Sequence, residues 1–517
     1  MPTVHEPRDA VILGAGAAGC LIAARLAQAG KSVVVLEAGP AWTLADLASN
    51  QIWARRLKWS GPPVEGAGAD RFGHNLNVGQ GFGGSALHHY ASWPRLHPED
   101  FRIATLHSRS RDWPIDYDKL RPYYDRIQAE VGISGDAAAE IWRPPAAAYP
   151  MPPLQQFAQS RIVGQGFAKL GMHVAPMPMA VNSVVYKDRA PCQYDGWCDA
   201  GCPIGALANP LVVHMPLAQS HGAEFRARAT VTTIERDAKG RPHALRYIDE
   251  HGQTHIQPAP LIVLAGAGIQ NARLLLANDL GNRSGKVGHG FVPHVFNNSY
   301  GLFAAETECH RGLTAGSMTC QDEYPKAQAG KPFGSLAWGY ASAIKPNDII
   351  GIQMTRPELY GPALDQFIRR AIRHLAFVTA VTETLARDEN RVQLTTTRDA
   401  HGVPNVRVTH TLDPESVRLA AYAADKGLAI MRAAGAVEVW NTPGPRNLGH
   451  VAGGTVMGDD PMSSVVDSYG RLHDAPNVVV AGGGQFPSIG AVSPTFTVLA
   501  LAERSAERMI HHASEFA

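Results

Sequence analysis

Short apolar runs that end in glycine and pass into helically spaced apolar residues recur at three widely separated places in the chain. At 11–39 the stretch VILGAGAAGCLIAARLAQAGKSVVVLEAG reads as strand, turn, alanine-rich helix and a second strand at 32–36. LIVLAGAGIQNARLLLAND at 261–279 repeats the buried strand, Gly-Ala-Gly turn and helix. Near the C-terminus a strand at 477–480 enters Ala481-Gly482-Gly483-Gly484, and a helix is predicted from about Thr495. One domain is therefore expected to be completed by both ends of the chain.

The intervening pattern differs. Residues 42–77 read as a loop-rich region, 112–133 as a core helix with aromatic residues at helical spacing, and the proline-rich 143–154 as a linker. Short strands with a turn at 237–242 occupy 223–249. From 295 to 445 mixed strand and loop, with a helix near 414–433, predicts an antiparallel sheet that shapes a substrate pocket.

Composition narrows the partners. The 517 residues suggest two or three domains. A net charge of +1 gives no electrostatic case for nucleic acid or an anionic membrane. No apolar run reaches the roughly 20 residues that span a bilayer. The opening MPTVHEPRDA lacks the apolar core of a signal peptide.

The first glycine turn carries the most specific chemistry. Gly14 permits the tight turn, Gly16 leaves no Cβ between backbone and a pyrophosphate, and Gly19 lets helix and strand pack closely. The helix N-terminus offers unpaired N–H groups to the phosphates. Glu37, at the end of the second strand, can accept ribose hydroxyls and would repel a 2′-phosphate, leaving NAD and FAD. A second glycine loop, VGQGFGGSALHH at 78–89, would also let backbone approach a ligand.

Three of the six cysteines, Cys192, Cys198 and Cys202, fall within eleven residues with C-x5-C-x3-C spacing. Three thiolates on one glycine-relaxed loop suit a soft metal centre: a 3Fe-4S cluster, or zinc completed by a distant residue. A disulfide with one free thiol remains the alternative.

These segments resemble the glucose-methanol-choline (GMC) family of FAD-dependent oxidoreductases, over 8–40, 78–101, 186–290 and 446–513. The likeness is greatest to the branch of bacterial FAD-dependent glucose, gluconate and fructose dehydrogenases. HVAGGTVMG at 450–458 is similar to its H-x-x-G-G-T-x-M-G. The resemblance implies FAD rather than NAD, bound by Gly14, Gly16, Gly19, Glu37 and the loop residues Gly83, Gly84, Ser85 and His88. Val231, Gly266, Gly483, Pro494 and Thr495 would complete the site. It implies an α/β fold in which 1–42, 78–101, 203–294 and 446–517 form a Rossmann-like FAD-binding domain. Residues 43–77, 102–185 and 295–445 would form an α+β substrate domain on a largely antiparallel sheet, and 186–206 the cysteine loop.

The same resemblance gives the chemistry. His450 would take a hydroxyl proton while hydride leaves the carbon for FAD, with Ser493 where the family carries Asn or His. His88 stands where some relatives bind flavin covalently, although His89 follows it in place of Trp. The trio before Pro203-Ile204-Gly205-Ala206 would hold a 3Fe-4S cluster. The expected activity is a sugar dehydrogenase passing electrons to cytochrome c or a quinone, escorted by a small subunit to the periplasm; without an escort the chain is expected to stay in the cytoplasm. An oxidase using dioxygen, with structural cysteines, is the alternative.

Overall fold

The computed structural model describes residues 1–70, 72–442 and 447–516. The three apolar runs meet in one sheet. Ala10–Leu13 lies between Val33–Leu36 and Leu261–Leu264, and all three are parallel. Glu224–Arg226 extends the sheet on one side and Ala475–Val480 on the other, still in parallel. Only the edge strand Arg471–Leu472 runs antiparallel. Strands buried on both faces must be apolar throughout, which is why AVIL, VVVL and LIVL show no alternation.

The helix Ala17–Gln28 packs on Thr495–His511, so the chain's beginning and end share one core. Helix Tyr117–Val131, placed with the substrate domain from sequence, lies on this side instead. Its Tyr124 hydroxyl meets Thr497 Oγ1 at 2.6 Å, and Arg126 meets Glu503 at 2.9 Å. The proline-rich 143–154 is no free linker either. Gln128 holds the carbonyls of Ala147 and Ala148, and Met151 and Leu154 are buried.

The second large sheet is antiparallel, in the order Glu438–Asn441, Val292–Leu302, Leu375–Thr382, Leu336–Tyr340, Met318–Cys320, Ala175–Pro176. Asn447–Ala452 also pairs with Val292–Leu302. Helix Pro414–Ala433 covers this sheet. Asp413 caps its first turn by accepting from Glu415 N and Ser416 N, and Pro414 needs no partner at that position. Gly427 brings the helix close, since a Cβ there would lie 2.2 Å from Ser299 Oγ.

Within the loop-rich 42–77 the structure adds a helix, Gln51–Lys58, capped by Asn50, and a strand, Glu65–Ala67, paired with Pro404–Thr409. The boundary expected between 445 and 446 falls outside the described residues.

Candidate active site

At the first glycine turn the three glycines do different work. Gly14 has φ +98°, and a Cβ there would lie 2.5 Å from Ala265 O. A Cβ on Gly19 would lie 2.0 Å from Gly14 O, so helix and strand touch through it. Gly16, which caps the helix Ala17–Gln28, would meet nothing within 4 Å. That open backbone position before a helix N-terminus fits a pyrophosphate.

The second glycine loop lies directly on the first. Gly83 N donates to Ala15 O at 2.9 Å, and a Cβ on Gly84 would approach Gly16 Cα to 3.2 Å. Ser85 Oγ accepts from Gly79 N, which ties the loop to itself. Glu37 is buried and accepts three backbone N–H groups, from Ala15, Gly39 and Gly81, at 2.9–3.0 Å. A carboxylate has about four acceptor positions, so one remains for a ribose hydroxyl. Val231 is half-buried close by, two residues after Ala229, whose N–H reaches Glu37 O.

The remaining predicted cofactor residues gather on the same side. Gly266 N is held by Asn271 Oδ1 at 2.9 Å, and the adjacent Ala265 N by Leu13 O. Gly453 N donates to Gly483 O and Thr455 N to Gly484 O, which docks the HVAGGTVMG segment on the last glycine turn. Pro494 caps the final helix, and Thr495 lines a narrow cavity with Ala17, Ala86 and His89. First and last helices thus start at one cavity.

His88 is buried and its Nε2 has no partner among the described residues. That atom packs about where a Cβ on Gly79 would stand, 3.2 Å away, rather than facing open space. Burial and the nearby Lys58 lower its pKa to about 3. His89 Nε2 meets Ala208 O at 2.9 Å.

His450 sits where the ladder of two antiparallel strands breaks. Pro293 has no N–H to donate, and against it the facing strand carries two residues, His450 and Val451. His450 takes up the extra residue at φ +52°. Such a left-handed conformation costs a side-chain-bearing residue about 1–3 kcal/mol and persists only where its surroundings enforce it. The enforcing contacts are His294 Nδ1, 3.1 Å from His450 Nδ1, and the edge-on ring of Phe296, 5.0 Å between centroids. His294 Nε2 in turn meets Gly490 O at 2.9 Å. Burial lowers the pKa of His294 to about 4 and, together with His294, that of His450 to about 3. Both rings are neutral at pH 7. Ser493 lies three residues beyond Gly490 and makes no hydrogen bond among the described residues.

His294 escaped the sequence reading because it belongs to no motif and becomes visible only through strand register. So did the fully buried Lys326, whose Nζ lies 2.6 Å from Asp100 Oδ1 and 2.7 Å from Glu383 Oε2. This ion cluster lies behind the Gly490 turn: Tyr324 donates to Asp100 Oδ2 at 2.7 Å and receives Ala491 N at 3.3 Å.

The cysteine loop is joined to the glycine loop by Lys58, which meets Asp199 Oδ2 at 2.6 Å and the Tyr90 hydroxyl at 3.2 Å. Cys192, Cys198 and Cys202 are free thiols. Tyr194 N approaches Cys192 Sγ at 3.3 Å and Leu207 N approaches Cys202 Sγ at 3.4 Å, contacts that favour sulfur carrying negative charge. Burial pushes Cys192 up to about 12 and Cys198 to about 11. The donor set suits an iron-sulfur cluster in kind, but among the described residues no three His, Cys, Asp or Glu side chains converge to hold a metal ion. None of the helices there is long and apolar enough to cross a membrane.

A dinucleotide cradle built by both chain ends, with a paired histidine beside it on an antiparallel sheet, is the frame of a dinucleotide-dependent oxidoreductase, and the resemblance noted in the sequence implies that the dinucleotide is FAD. Comparison with known proteins agrees: residues 9–181 match the family model described as FAD dependent oxidoreductase, and 386–502 the model described as GMC oxidoreductase. The fructose dehydrogenase large subunit of Gluconobacter japonicus is 30% identical, over 97% of this chain and 98% of that protein. The paromamine 6′-oxidase of Streptomyces fradiae is 30% identical, over 96% and 90%. The crystal structure of pyridoxine 4-oxidase from Mesorbium loti superposes with a TM-score of 0.64 at 17% identity, over 98% of this chain and 99% of that one. The chain belongs to the GMC oxidoreductase family, FAD-dependent enzymes acting on alcohols and sugars.

Proposed function

We propose that the protein is a dehydrogenase that oxidises a hydroxyl of a sugar, glycoside or sugar acid, with His450 as the base and Ser493 donating to the substrate oxygen. Bound FAD would supply the hydride acceptor. Gly14, Gly16, Gly19, Glu37, the 83–85 loop, Val231, Gly266, Gly483, Pro494 and Thr495 would hold it without a covalent bond, because His88 Nε2 is packed against Gly79 and not exposed to a ligand cavity. The observation that carries the reading is the neutral His450 imidazole, set on a left-handed backbone beside the 490–495 turn: it can accept a proton and is held by His294 while doing so.

Cys192, Cys198 and Cys202 are proposed to hold a 3Fe-4S cluster, which when present exchanges single electrons with a carrier such as cytochrome c or a quinone. Glycines at 196 and 201, both at positive φ, give the loop the freedom to draw the three sulfurs together. An escort subunit and periplasmic residence are proposed with it; the similarity to a protein named as a large subunit supports them. The second reading, an oxidase with structural cysteines, is favoured by the unconverged trio and by the likeness to an oxidase. Iron and acid-labile sulfide in the anaerobically purified protein would decide for the cluster; rapid peroxide formation without either would decide for the oxidase.

The function is tested by anaerobic addition of glucose, gluconate, fructose and simple glycosides. One of them should bleach the flavin band, and His450→Ala should keep its flavin yet lose about 10²–10⁴-fold in bleaching rate. A variant reduced as fast as the parent sinks the proposal.

A further inference from the structure

The His450 ring has two nitrogens, and only the one carrying a lone pair can act as a base. Its partner decides which one that is. The carbonyl of Gly490 can only accept, so His294 Nε2, 2.9 Å away, must carry the proton of that ring. His294 is neutral, and its Nδ1 is therefore a lone pair. His450 Nδ1, 3.1 Å from it, must then be the N–H that donates. Only His450 Nε2 is left with a lone pair.

The carbonyl that starts this chain is itself fixed. It belongs to the peptide unit joining Gly490 and Ala491, and the N–H of the same unit is given to the Tyr324 hydroxyl at 3.3 Å. That hydroxyl donates to Asp100 Oδ2 at 2.7 Å, and Asp100 is held from its other oxygen by Lys326. The peptide is gripped at both ends. It cannot turn over without breaking two contacts within the protein. Glycine is required at 490, where φ is +60° and a Cβ would fall 2.7 Å from the Tyr324 oxygen.

We propose that His294 is a positioning residue: anchored by the Gly490–Ala491 peptide and, through Tyr324, by the buried Asp100–Lys326 pair, it fixes the proton of His450 on Nδ1 and leaves Nε2 as the base. The inference rests on the reading of His450 as the base. When Nε2 takes the hydroxyl proton, the Nδ1–H already points at an acceptor, so the imidazolium is stabilised with no rearrangement, and the proton returns to solvent or product by the route it came. The groups facing His294 are His450, Phe296, the carbonyls of Gly490 and Ile489 and, at longer range, Asp100; those facing His450 are His294 and Phe296.

Nitrogen-15 histidine resonances of the full-length flavoprotein at pH 7, assigned with His294→Asn and His450→Gln, read the tautomers without turnover. The expected result is protonated Nδ1 and bare Nε2 on His450, with the reverse on His294; a His450 ring protonated at Nε2 overturns the proposal. In the reductive half-reaction His294→Leu, which has no acceptor, should lose roughly 10²-fold or more in limiting rate with little change in half-saturating substrate. His294→Asn, which keeps an acceptor on that side, should recover at least about tenfold of that loss. Equal rates for the Leu variant and the parent overturn the positioning role. If His450→Ala abolishes flavin reduction while His294→Leu does not, this inference fails and the function stands; if His450→Ala is harmless, the function fails first. Should the Leu variant not fold, the tautomer assignment and Tyr324→Phe, which frees Ala491 N–H and should slow reduction in the same limiting-rate sense, decide the matter; an unslowed Tyr324→Phe with a mixed His450 tautomer counts against it.

Discussion

At the site the two polar side chains assigned to the substrate are held differently: the His450 ring meets His294 Nδ1 at 3.1 Å, whereas the Ser493 hydroxyl meets no partner among the described residues. His450 stands out because H-x-x-G-G-T-x-M-G places it, whereas His294 is one of 22 histidines and acquires meaning only when His294 comes opposite Gly449 in the strand register. Ser493 shows the converse: the sequence flags its shortness, and the structure adds that its hydroxyl has no partner among the described residues. A hydroxyl that bonds nothing within the protein contributes little to folding, so Ser493→Ala should change thermal stability by no more than about 0.5 kcal/mol. If that hydroxyl donates to the substrate oxygen, the same variant should lower kcat/KM by about tenfold, one hydrogen bond's worth. Unchanged kcat/KM across the sugar panel would remove Ser493 from the site.

Among the elements, the glycine turn was the most readable because its constraints are local. The roles assigned to Gly14, Gly16 and Gly19 from spacing are separable in space: Gly19 is tight against Gly14 O, whereas Gly16 faces emptiness. Two variants separate folding from binding. Gly19→Ala drives a Cβ into the backbone carbonyl of Gly14, and should destabilise the protein by about 3 kcal/mol, read as a lower denaturation midpoint with or without FAD. Gly16→Ala has room for its methyl group and an ordinary φ of −83°, so the apoprotein should melt as the parent does. Its Kd for FAD should rise roughly tenfold or more, because the methyl occupies the phosphate approach. An apoprotein destabilised equally by both changes would mean that the open position is not a ligand's. Helix Gln51–Lys58 was missed for an opposite reason: QIWARRLK buries only Ala54 and Leu57, too few apolar positions to register as a periodic face, and its cap at Asn50 looks like any loop residue. The antiparallel sheet was readable as a class but not in its order, since Val292–Leu302 pairs with strands from 375, 438 and 447 onward, and only tertiary contact selects among them.

Across the whole molecule, the same burial that keeps the site histidines neutral makes the fold sensitive to acid. His88 and His450 are lowered to about 3, and His89 and His294 to about 4, from an ordinary value of 6.5, in each case chiefly by loss of water around the ring. In the unfolded chain these rings take up protons as pH falls through 6.5; in the native protein they do not until about 4 or below. Between those limits the unfolded state binds more protons, so stability is full above pH 6.5 and is lost progressively as pH drops toward 4. Each ring contributes a slope of up to about 1.4 kcal/mol per pH unit in that window. Carboxylates whose pKa is depressed in the native state, such as Glu130 at about 2, add their own loss only below the usual carboxylate range. The melting temperature should therefore start to fall near pH 6.5, well before carboxylates titrate. Replacing one member of the set, His89, by Gln should flatten the limb between pH 6 and 4.5 without moving the plateau at pH 7.5, since an amide can still donate to Ala208 O and takes up no proton in that range. A limb that begins only below pH 4.5 would show that burial does not hold these rings' pKa values down in the native protein, and one that His89→Gln leaves as steep as in the parent would show the same for His89 alone.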